Sequence, residues 1–400
     1  MFDLFAGLGS ASIAAKWAGL DDVATYLVEN GERHASHLPA LLRKKHPEDT
    51  VWRDVTDLTA NNFELLEQII KDHQATRPDV QCLVIGGFPC QDLSSKGKGR
   101  GLGGTRSCLF AHLVAIIARL QRLGLVTWYC AENVASMAPP QRTALEFAFG
   151  TEATERDAAR WYPTKRQRLI FTNIPHKCAA TDKPALTQED TLTPGWTTCR
   201  RANIAGQAQS GHHQDKWRTF MRPIGPGEPP EAPTDFWHHS LVGYGIESLV
   251  TKTDLSQAER DTVLEHIRRG DCLKKNYDAA RRGKLVHWIH QEGGDKLLRP
   301  LSSHERGKAL GYTAHDLYAS SQVPPMFTEA DWHANWAVGN CLCPRMLLDI
   351  LSPLGAHIRH GKPLLPRVPA LHSELASISP EAILALVLSK NGTGQGAGRR

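Results

Sequence analysis

The sequence predicts an α/β protein with a largely parallel sheet and a second, smaller and irregular domain. Up to about Pro175, short apolar runs alternate with stretches of helical periodicity, an order typical of parallel sheets. From about Lys177 to Leu298 the alternation gives way to Pro/Gly-rich sequence with scattered tryptophans. The length of 400 residues suits two or three domains at roughly 150 residues each.

The first 176 residues contain the predicted strands of the sheet. These cover residues 2–5, 26–28, 82–85, 127–130 and 169–171, with a further candidate strand before Asp54. Helices are predicted over residues 11–18, 63–71 and 109–122, the last with apolar residues three and four apart. Because ligands lie beyond the carboxyl ends of the strands in such sheets, we expect the chemistry in the loops after Phe5, Ile85 and Cys130.

Helical periodicity is sparse in the middle of the chain and returns after Leu298. Helices are predicted over residues 257–267, 302–310, 341–351 and 380–388. We therefore expect residues 1–176 and 299–365 to form one domain and residues 177–298 to form the second. Residues 366–400 are expected to hold a short helix and a disordered tail from residue 391.

Composition excludes several classes of protein. Charged residues make up 22% and hydrophobic residues 41%, so we expect neither broad disorder nor a shortage of core. No apolar run reaches the roughly 18 residues of a membrane span, and Met1 leads into the first strand without the basic segment of a signal peptide. Nine irregularly spaced cysteines favour a reducing compartment, and no Cys/His group has zinc-site spacing.

The net charge is concentrated in one segment. The 47 Lys and Arg residues exceed the 42 Asp and Glu residues by five, which permits a polyanionic partner without requiring one. Residues 268–284 carry seven cations and two acids, so they account for the whole net charge. Basic runs are most often solvated surface, but this one lies in the irregular domain, where it would suit phosphate groups.

The first loop indicates a nucleotide-type cofactor. Gly7 and Gly9 stand at a strand-to-helix turn, where backbone N–H groups can approach a ligand. The third glycine of the dinucleotide fingerprint is Ser12, so the loop read alone could be only a tight turn. Glu29 and Asp54 follow the next two strands. Together with Asp3 of the first strand they make three acids in step with the strands, and this pattern favours an adenosine-containing cofactor.

The second loop holds a candidate nucleophile, Cys90, directly behind Pro89. A free cysteine is usually a buried apolar residue. Here no acid occurs from residue 93 to residue 106, while four cations do: Lys96, Lys98, Arg100 and Arg106. Cations favour the thiolate and suit a phosphate backbone.

The third loop offers a carboxylate. Glu132 and Asn133 lie just past the strand that ends at Cys130, 42 residues after Cys90. A neighbouring strand end could bring Glu132 beside Cys90, although a lone Glu-Asn pair is more often a helix cap.

Taken in order, these segments resemble the DNA (cytosine-5)-methyltransferase family. Residues 89–91 (PCQ) resemble its nucleophile motif, residues 132–134 (ENV) its base-edge motif and residues 166–168 (RQR) its paired-arginine motif. Residues 299–305 with residues 311–312 resemble the segment after the target-recognition region, and Gly339-Asn340 with Pro344 resembles the last cofactor motif. The matches run in family order from Asp3 to about Ile350 and leave residues 177–298 for the variable target-recognition domain.

The resemblance implies a Rossmann-like S-adenosylmethionine-dependent methyltransferase sheet acting on double-stranded DNA. Cys90 would add to C6 of a flipped-out cytosine, Glu132 would contact its N3 and amino edge, Arg168 would hold O2, and Arg166 would support the loop. S-adenosyl-L-methionine would become S-adenosyl-L-homocysteine, with no metal. The implied cofactor-binding residues are Asp3, Phe5, Ala6, Gly7, Leu8, Gly9, Glu29, Asn30, Asp54, Val55, Pro89 and Asn340. The implied DNA-binding residues are Ser94, Ser95, Lys96, Lys98, Arg100, Arg106, Arg281, Arg282 and Lys284.

Four positions depart from the family pattern. Thr164 stands where a glutamine is usual, Ser10 replaces a glycine, Asn30 replaces an aromatic residue and Lys308 replaces an arginine. None of these removes a group that the chemistry needs. The sequences of residues 131–137 and 166–175 are most similar to the animal de novo branch of the family, whereas the Gly-Asn motif is most similar to the bacterial enzymes. The assignment to a branch therefore stays open.

Three alternatives remain beside DNA methylation. A tRNA cytosine-5 methyltransferase would use the same catalytic set, but the Cys-Phe-Thr tripeptide typical of its recognition region is absent. A DNA-binding relative without catalysis and a Rossmann oxidoreductase are disfavoured by the intact motifs. We expect an enzyme that acts on DNA as a monomer, with oligomerisation open, in restriction–modification or epigenetic marking. It would work in the cytoplasm or nucleoid of a prokaryote or phage host, or in a eukaryotic nucleus.

Overall fold

A computed structural model describes most of the chain. The described residues are 1–31, 36–94, 99–176, 186–198, 200–201, 271–272, 288–291, 298–324, 329–361, 364, 375 and 378–392. The chain divides into two compact units. The first comprises Met1–Asp157, Gln167–Thr181 and Cys341–Arg400, and the second comprises Ala158–Arg166 and Asp182–Asn340.

The first unit contains a seven-stranded sheet in the order β3-β2-β1-β4-β5-β7-β6. Its strands are β1 (Phe2–Leu4), β2 (Tyr26–Val28), β3 (Thr50–Trp52), β4 (Cys82–Gly87), β5 (Thr127–Val134), β6 (Thr154–Asp157) and β7 (Gln167–Thr172). Strands β1 to β5 run parallel, whereas β7 is antiparallel to both β5 and β6. The strand order reverses between β1 and β4, and this switch point is where open α/β sheets bind their ligands.

Ten helices are described. They are α1 (Ser10–Trp17), α2 (Leu38–Lys45), α3 (Glu64–Thr76), α4 (Phe110–Arg122), α5 (Pro139–Phe149), α6 (Ser303–Lys308), α7 (Ala314–Tyr318), α8 (Glu329–Asn340), α9 (Pro344–His360) and α10 (Pro380–Gly392). Of these, α6 to α8 belong to the second unit and the others to the first. None of the helices among the described residues is long and apolar enough to cross a membrane.

The core of the first unit lies between the sheet and its helices. Helix α4 is its most buried helix, because apolar residues occupy most of its positions rather than one narrow stripe. Stacked or tilted aromatic rings of Phe88, Tyr129, Phe149 and Phe171 fill the space beside it. Helix α10 packs on α4 and α5, and α9 packs on α1, so the last segment of the chain completes this core.

The second unit is described in part. Strands β8 (Trp196–Thr198), β11 (Trp288–Gln291) and β12 (Leu298–Pro300) form an antiparallel sheet, and β9 (Arg200–Arg201) pairs with β10 (Asp271–Cys272). Helix α6 begins with a capping box in which Ser302 and Glu305 satisfy each other's backbone N–H groups. Glu305 Oε1 also accepts the Thr193 N–H at 2.9 Å, which ties α6 to the start of the unit.

The predicted α/β fold class is confirmed, and the sheet differs from the prediction in three details. Strand β5 continues to Val134, so Glu132 and Asn133 lie within a strand and not in the expected loop. Strand β6 was not predicted, because its sequence, Thr-Glu-Arg-Asp, is polar. The antiparallel direction of β7 was also not predicted, since periodicity reports no strand direction.

The boundaries in the second half also differ from those expected. Residues 299–340 group with the second unit, whereas the sequence placed them in the first domain. The contact of Glu305 with Thr193 and a hydrogen bond from Thr164 Oγ1 to the Ala309 carbonyl, at 2.7 Å, both lie within this second unit. Helix α10 extends to Gly392, beyond the expected start of a disordered tail. The predicted helix 257–267 and residues 393–400 lie outside the described residues.

Candidate active site

The loop after β1 turns on backbone conformations that glycine favours. Phe5, Gly7 and Gly9 have positive φ values of 61°, 56° and 73°. The Ala6 N–H donates to the Val28 carbonyl at 2.9 Å, and the Gly7 N–H donates to Glu29 Oε2 at 2.9 Å. The carboxylate at the end of β2 is therefore held against the loop.

Helix α2 supports the same loop from its last turn. Lys45 Nζ donates to the Leu8 carbonyl at 2.6 Å. A Cβ atom on Gly9 would lie 3.0 Å from His46 Nε2 and 3.3 Å from Leu42 Cδ2, so the helix packs closely on the loop backbone. Sequence reasoning missed Lys45, because nothing local to α2 shows which of its three final cations, Arg43, Lys44 or Lys45, faces the loop.

The other two acids of the cofactor side, Asp3 and Asp54, have environments different from that of Glu29. Asp3 is buried within β1, and burial raises the pKa of its carboxyl well above the usual value, with the nearby Glu29 carboxylate adding to the rise. Asp54 Oδ1 accepts both the backbone N–H and the hydroxyl of Thr56 at 2.9 Å, so it caps the turn that begins at the buried Val55. Asn30 is partly exposed at the end of β2.

These residues fit an adenosine-containing cofactor. Among the described residues, a Cβ atom on Gly7 would approach only the Phe5 carbonyl, at 4.0 Å, so they leave the space in front of this glycine open. Glu29 stands beside that space with a carboxylate of the kind that binds ribose hydroxyls. The start of α1 lies next in the chain, and a helix start attracts electron-rich groups.

The candidate nucleophile follows β4 in a tight turn. Cys90 is partly exposed and forms no disulfide, and its carbonyl accepts the N–H groups of Leu93 at 3.0 Å and Ser94 at 2.9 Å. Pro89 precedes it and is also partly exposed. Phe88, one residue earlier, is buried and fixes the turn to the core.

A buried ion pair lies on the neighbouring strands. Glu132 of β5 is directly opposite Gly87, the last residue of β4. Arg168 Nε of β7 lies 2.5 Å from Glu132 Oε1, and both side chains are only 10% exposed. Asn133 Nδ2 donates to the Phe88 carbonyl at 2.9 Å, which fastens β5 to the turn that carries Cys90. The sheet thus brings Cys90, Glu132 and Arg168 to one end of adjacent strands.

Arg166 and Asn340 belong to the second unit. Arg166 is buried and its Nη1 donates to the Gly339 carbonyl at 3.4 Å. Thr164, at the position where a glutamine was expected, is buried and holds the Ala309 carbonyl. Asn340 is exposed at the end of α8, where its Nδ2 donates to the Trp336 carbonyl at 2.9 Å. The roles of Arg166 and Asn340 in the site stay predictions.

The predicted DNA-binding residues are described only in part. Ser94 is partly exposed, Arg100 is exposed and Arg106 is partly exposed. The others lie outside the described residues: Ser95, Lys96, Lys98, Arg281, Arg282 and Lys284. Within the described part of the chain, no group of three or more His, Cys, Asp or Glu side chains is arranged to hold a metal ion.

Comparison with known proteins finds similarities in the first part of the chain. The model for C-5 cytosine-specific DNA methylases matches residues 1–147. The type II methyltransferase M.XorII of Xanthomonas oryzae pv. oryzae is 32% identical over 121 residues, which is 30% of this chain and 25% of that protein. M.Sau96I of Staphylococcus aureus is 27% identical over 134 residues, which is 34% of this chain and 26% of that protein.

Two further similarities are shorter or weaker. The type II methyltransferase M2.BsuMI of Bacillus subtilis is 42% identical over 55 residues, 14% of each chain. The solved S. pombe Dnmt2 methyltransferase aligns with 90% of this chain and 98% of its own, at 13% identity and a TM-score of 0.49. The chain spans between 14% and 26% of the length of the curated relatives that it matches. Over residues 1–147, the chain is similar to the C-5 cytosine-specific DNA methylase family.

Proposed function

We propose that this chain methylates C5 of cytosine in double-stranded DNA, with S-adenosyl-L-methionine as methyl donor. One observation carries the proposal. The turn that presents Cys90 follows a strand directly opposite Glu132, whose carboxylate is paired with buried Arg168. A thiol, a carboxylate and a guanidinium at one end of the sheet are the groups that activation of a cytosine ring requires.

Cys90 acts as the covalent catalyst. Its thiolate Sγ adds to C6 of the base, and the electron pair of the C5–C6 double bond becomes available at C5. S-adenosyl-L-methionine, when bound, supplies an electrophilic methyl group and leaves as S-adenosyl-L-homocysteine. Once C5 carries the methyl group, loss of its proton and cleavage of the Sγ–C6 bond restore both the aromatic ring and the thiolate. A covalent intermediate of this kind divides one difficult step into two easier ones.

Glu132 and Arg168 stabilise the charge that develops on the ring. Glu132 contacts the N3 and exocyclic amino edge of the base, where a carboxylate oxygen can accept from the amino group. Arg168 holds O2 while its Nε keeps Glu132 in place. Both groups are largely buried, and preorganised charges act more strongly in such surroundings than in water.

Cofactor binding is assigned to the loop after β1 and to the ends of β2 and β3. Glu29 would hold the ribose, and Asp54 with Val55 and Asn30 would border the adenine. The backbone of Phe5, Ala6, Gly7, Leu8 and Gly9 would face the methionine part, with Asp3 beneath the loop and Pro89 toward the methyl group. The proposal keeps Asn340 as a cofactor-binding residue and Arg166 as a support of the catalytic loop.

Access to C5 and C6 requires that the base leave the stacked duplex, so we include base flipping in the proposal. Arg100 and Arg106, with Ser94, Ser95, Lys96 and Lys98, would contact the DNA backbone beside Cys90. Arg281, Arg282 and Lys284 would do so from the recognition segment. Because phosphate contacts release counterions, affinity for DNA should fall steeply with salt. The relatives' names, type II methyltransferases, favour a modification enzyme of a restriction–modification system.

The test is methyl transfer from labelled S-adenosyl-L-methionine to duplex DNA and, in parallel, to tRNA. We expect label in DNA, in cytosines that bisulfite sequencing then reads as protected at a defined sequence context. Label in tRNA alone would replace DNA methylation with the tRNA alternative. Label in neither substrate across varied DNA sequences would overturn the proposal.

A further inference from the structure

We propose that Asp92 is a positioning residue that fastens residues 101–107 to the turn carrying Cys90. The inference rests on the proposed function, because it concerns the segment next to the nucleophile. Asp92 lies two residues after Cys90 and is only 3% exposed. A buried carboxylate is costly unless backbone or side-chain donors satisfy it, so its partners show what it holds.

Asp92 contacts both ends of this segment. Its backbone carbonyl accepts the Gly101 N–H at 3.0 Å. Its Oδ2 accepts the Arg106 N–H at 3.3 Å and the Ser107 N–H at 3.4 Å. One residue therefore fixes where the segment begins and where it ends, immediately before helix α4.

The backbone of the segment packs closely against the Asp92 side chain. A Cβ atom on Gly104 would lie 2.4 Å from both Cγ and Oδ2 of Asp92, so the segment's backbone lies directly against the carboxylate. Ser107 Oγ closes the segment by donating to the Gly101 carbonyl at 2.5 Å. Leu388 of α10 lies on its other side, 3.7 Å from where a Cβ atom of Gly103 would be.

This clamp sets the position of cationic side chains relative to the thiol. The Cys90 carbonyl closes its own turn and the Asp92 carbonyl, two residues later, accepts the Gly101 N–H, so backbone hydrogen bonds connect the segment to the nucleophile turn. Arg100 precedes the clamped segment and Arg106 lies within it. Asp92 thus acts through the backbone of its neighbours and needs no contact with the base.

The test combines hydrogen exchange with kinetics in Asp92→Ala and Asp92→Asn. In the protein without DNA or cofactor, we expect Asp92→Ala to speed amide exchange of residues 101–108. Its kcat should fall by about 100-fold, as for a displacement of about 1 Å in a catalytic group, while affinity for S-adenosyl-L-homocysteine stays unchanged. Asp92→Asn should recover most of both losses, because its carboxamide oxygen can accept the same two N–H groups.

Gly104→Ala disturbs the same contact from the other side, because its Cβ atom would clash with the Asp92 carboxylate. Asp79→Ala, which removes an exposed acid, is the control. Gly104→Ala should reproduce the exchange and kcat changes, and the double variant with Asp92→Ala should lose less than the sum. Wild-type exchange and kcat in Asp92→Ala would overturn the clamp. Equal losses in Asp92→Asn and Asp92→Ala, or a matching loss of cofactor affinity, would also overturn it. An inactive wild-type enzyme would instead count against the proposed function and leave the exchange result valid.

Discussion

The two sides of the candidate site depend on different kinds of group, one on the backbone and the other on side chains. The cofactor side, defined as the loop after β1 with Glu29, depends on backbone: three residues with positive φ and N–H groups that meet carbonyl or carboxylate oxygens. The base side, defined as Cys90, Glu132 and Arg168, depends on side chains, two of which form a buried ion pair. The first should therefore be sensitive to backbone strain and the second to loss of a functional group.

Removal of the proposed nucleophile should separate the two sides by the largest loss of activity. Cys90→Ser keeps the size of the side chain but removes the thiolate, so methyl transfer should fall by about 10⁵-fold or more, the scale seen when an enzyme's nucleophile is removed. Affinity for S-adenosyl-L-homocysteine should not change, because the cofactor side does not use Cys90. Labelled methyl transfer and calorimetry measure the two quantities. Cys108→Ser, at another partly exposed cysteine, is the matched control, and wild-type activity in Cys90→Ser would remove Cys90 from the mechanism.

The buried pair gives the next largest effect, on catalysis and stability together. Glu132→Gln leaves the Arg168 guanidinium buried without its counter-charge, which should lower the free energy of unfolding by about 3 kcal/mol. Loss of an acid–base group should also reduce kcat by about 10²- to 10⁴-fold. Chemical denaturation and steady-state kinetics test both, with exposed Glu155→Gln as control. If Glu132→Gln/Arg168→Gln loses as much stability as the two single variants combined, the pair is not coupled.

The same contrast explains what the sequence could and could not predict. The loops after β1 and β4 follow from local pattern, because glycine, proline and strand ends are read over a few residues. Strand β5 was expected to stop at Cys130, since Glu132 and Asn133 are polar. Their partners, Arg168 and the Phe88 carbonyl, lie 36 and 45 residues away in the chain, and only the fold brings them close. Asp92 was missed for the same reason, although it directly precedes residues 93–106, which contain no acid.

The cofactor side should respond to backbone strain with a smaller, selective loss. Gly9→Ala puts a side chain at φ +73°, which costs about 1–2 kcal/mol, and its Cβ would meet His46. Affinity for S-adenosyl-L-homocysteine should fall by about 10-fold, on the scale of 1.4 kcal/mol per decade. Gly124→Ala is the matched control, because its φ is +78° and no atom of the described residues lies within 4 Å of a Cβ atom there. Equal affinity losses in both variants would mean that strain acts through the whole fold.

The smallest predicted effect tests whether a side chain also supports that backbone. Lys45→Met keeps the length of the side chain but removes the donor to the Leu8 carbonyl. Because Lys45 is partly exposed, water can replace part of that bond, so affinity for S-adenosyl-L-homocysteine should fall only about threefold to fivefold. The activity of saturated enzyme should be unchanged, since the base side lies on other strands. Lys44→Met, one residue earlier and exposed, removes the same charge from α2 without that bond. A loss shared by both variants would assign the effect to the general charge of α2, whereas a loss confined to Lys45→Met assigns it to the loop.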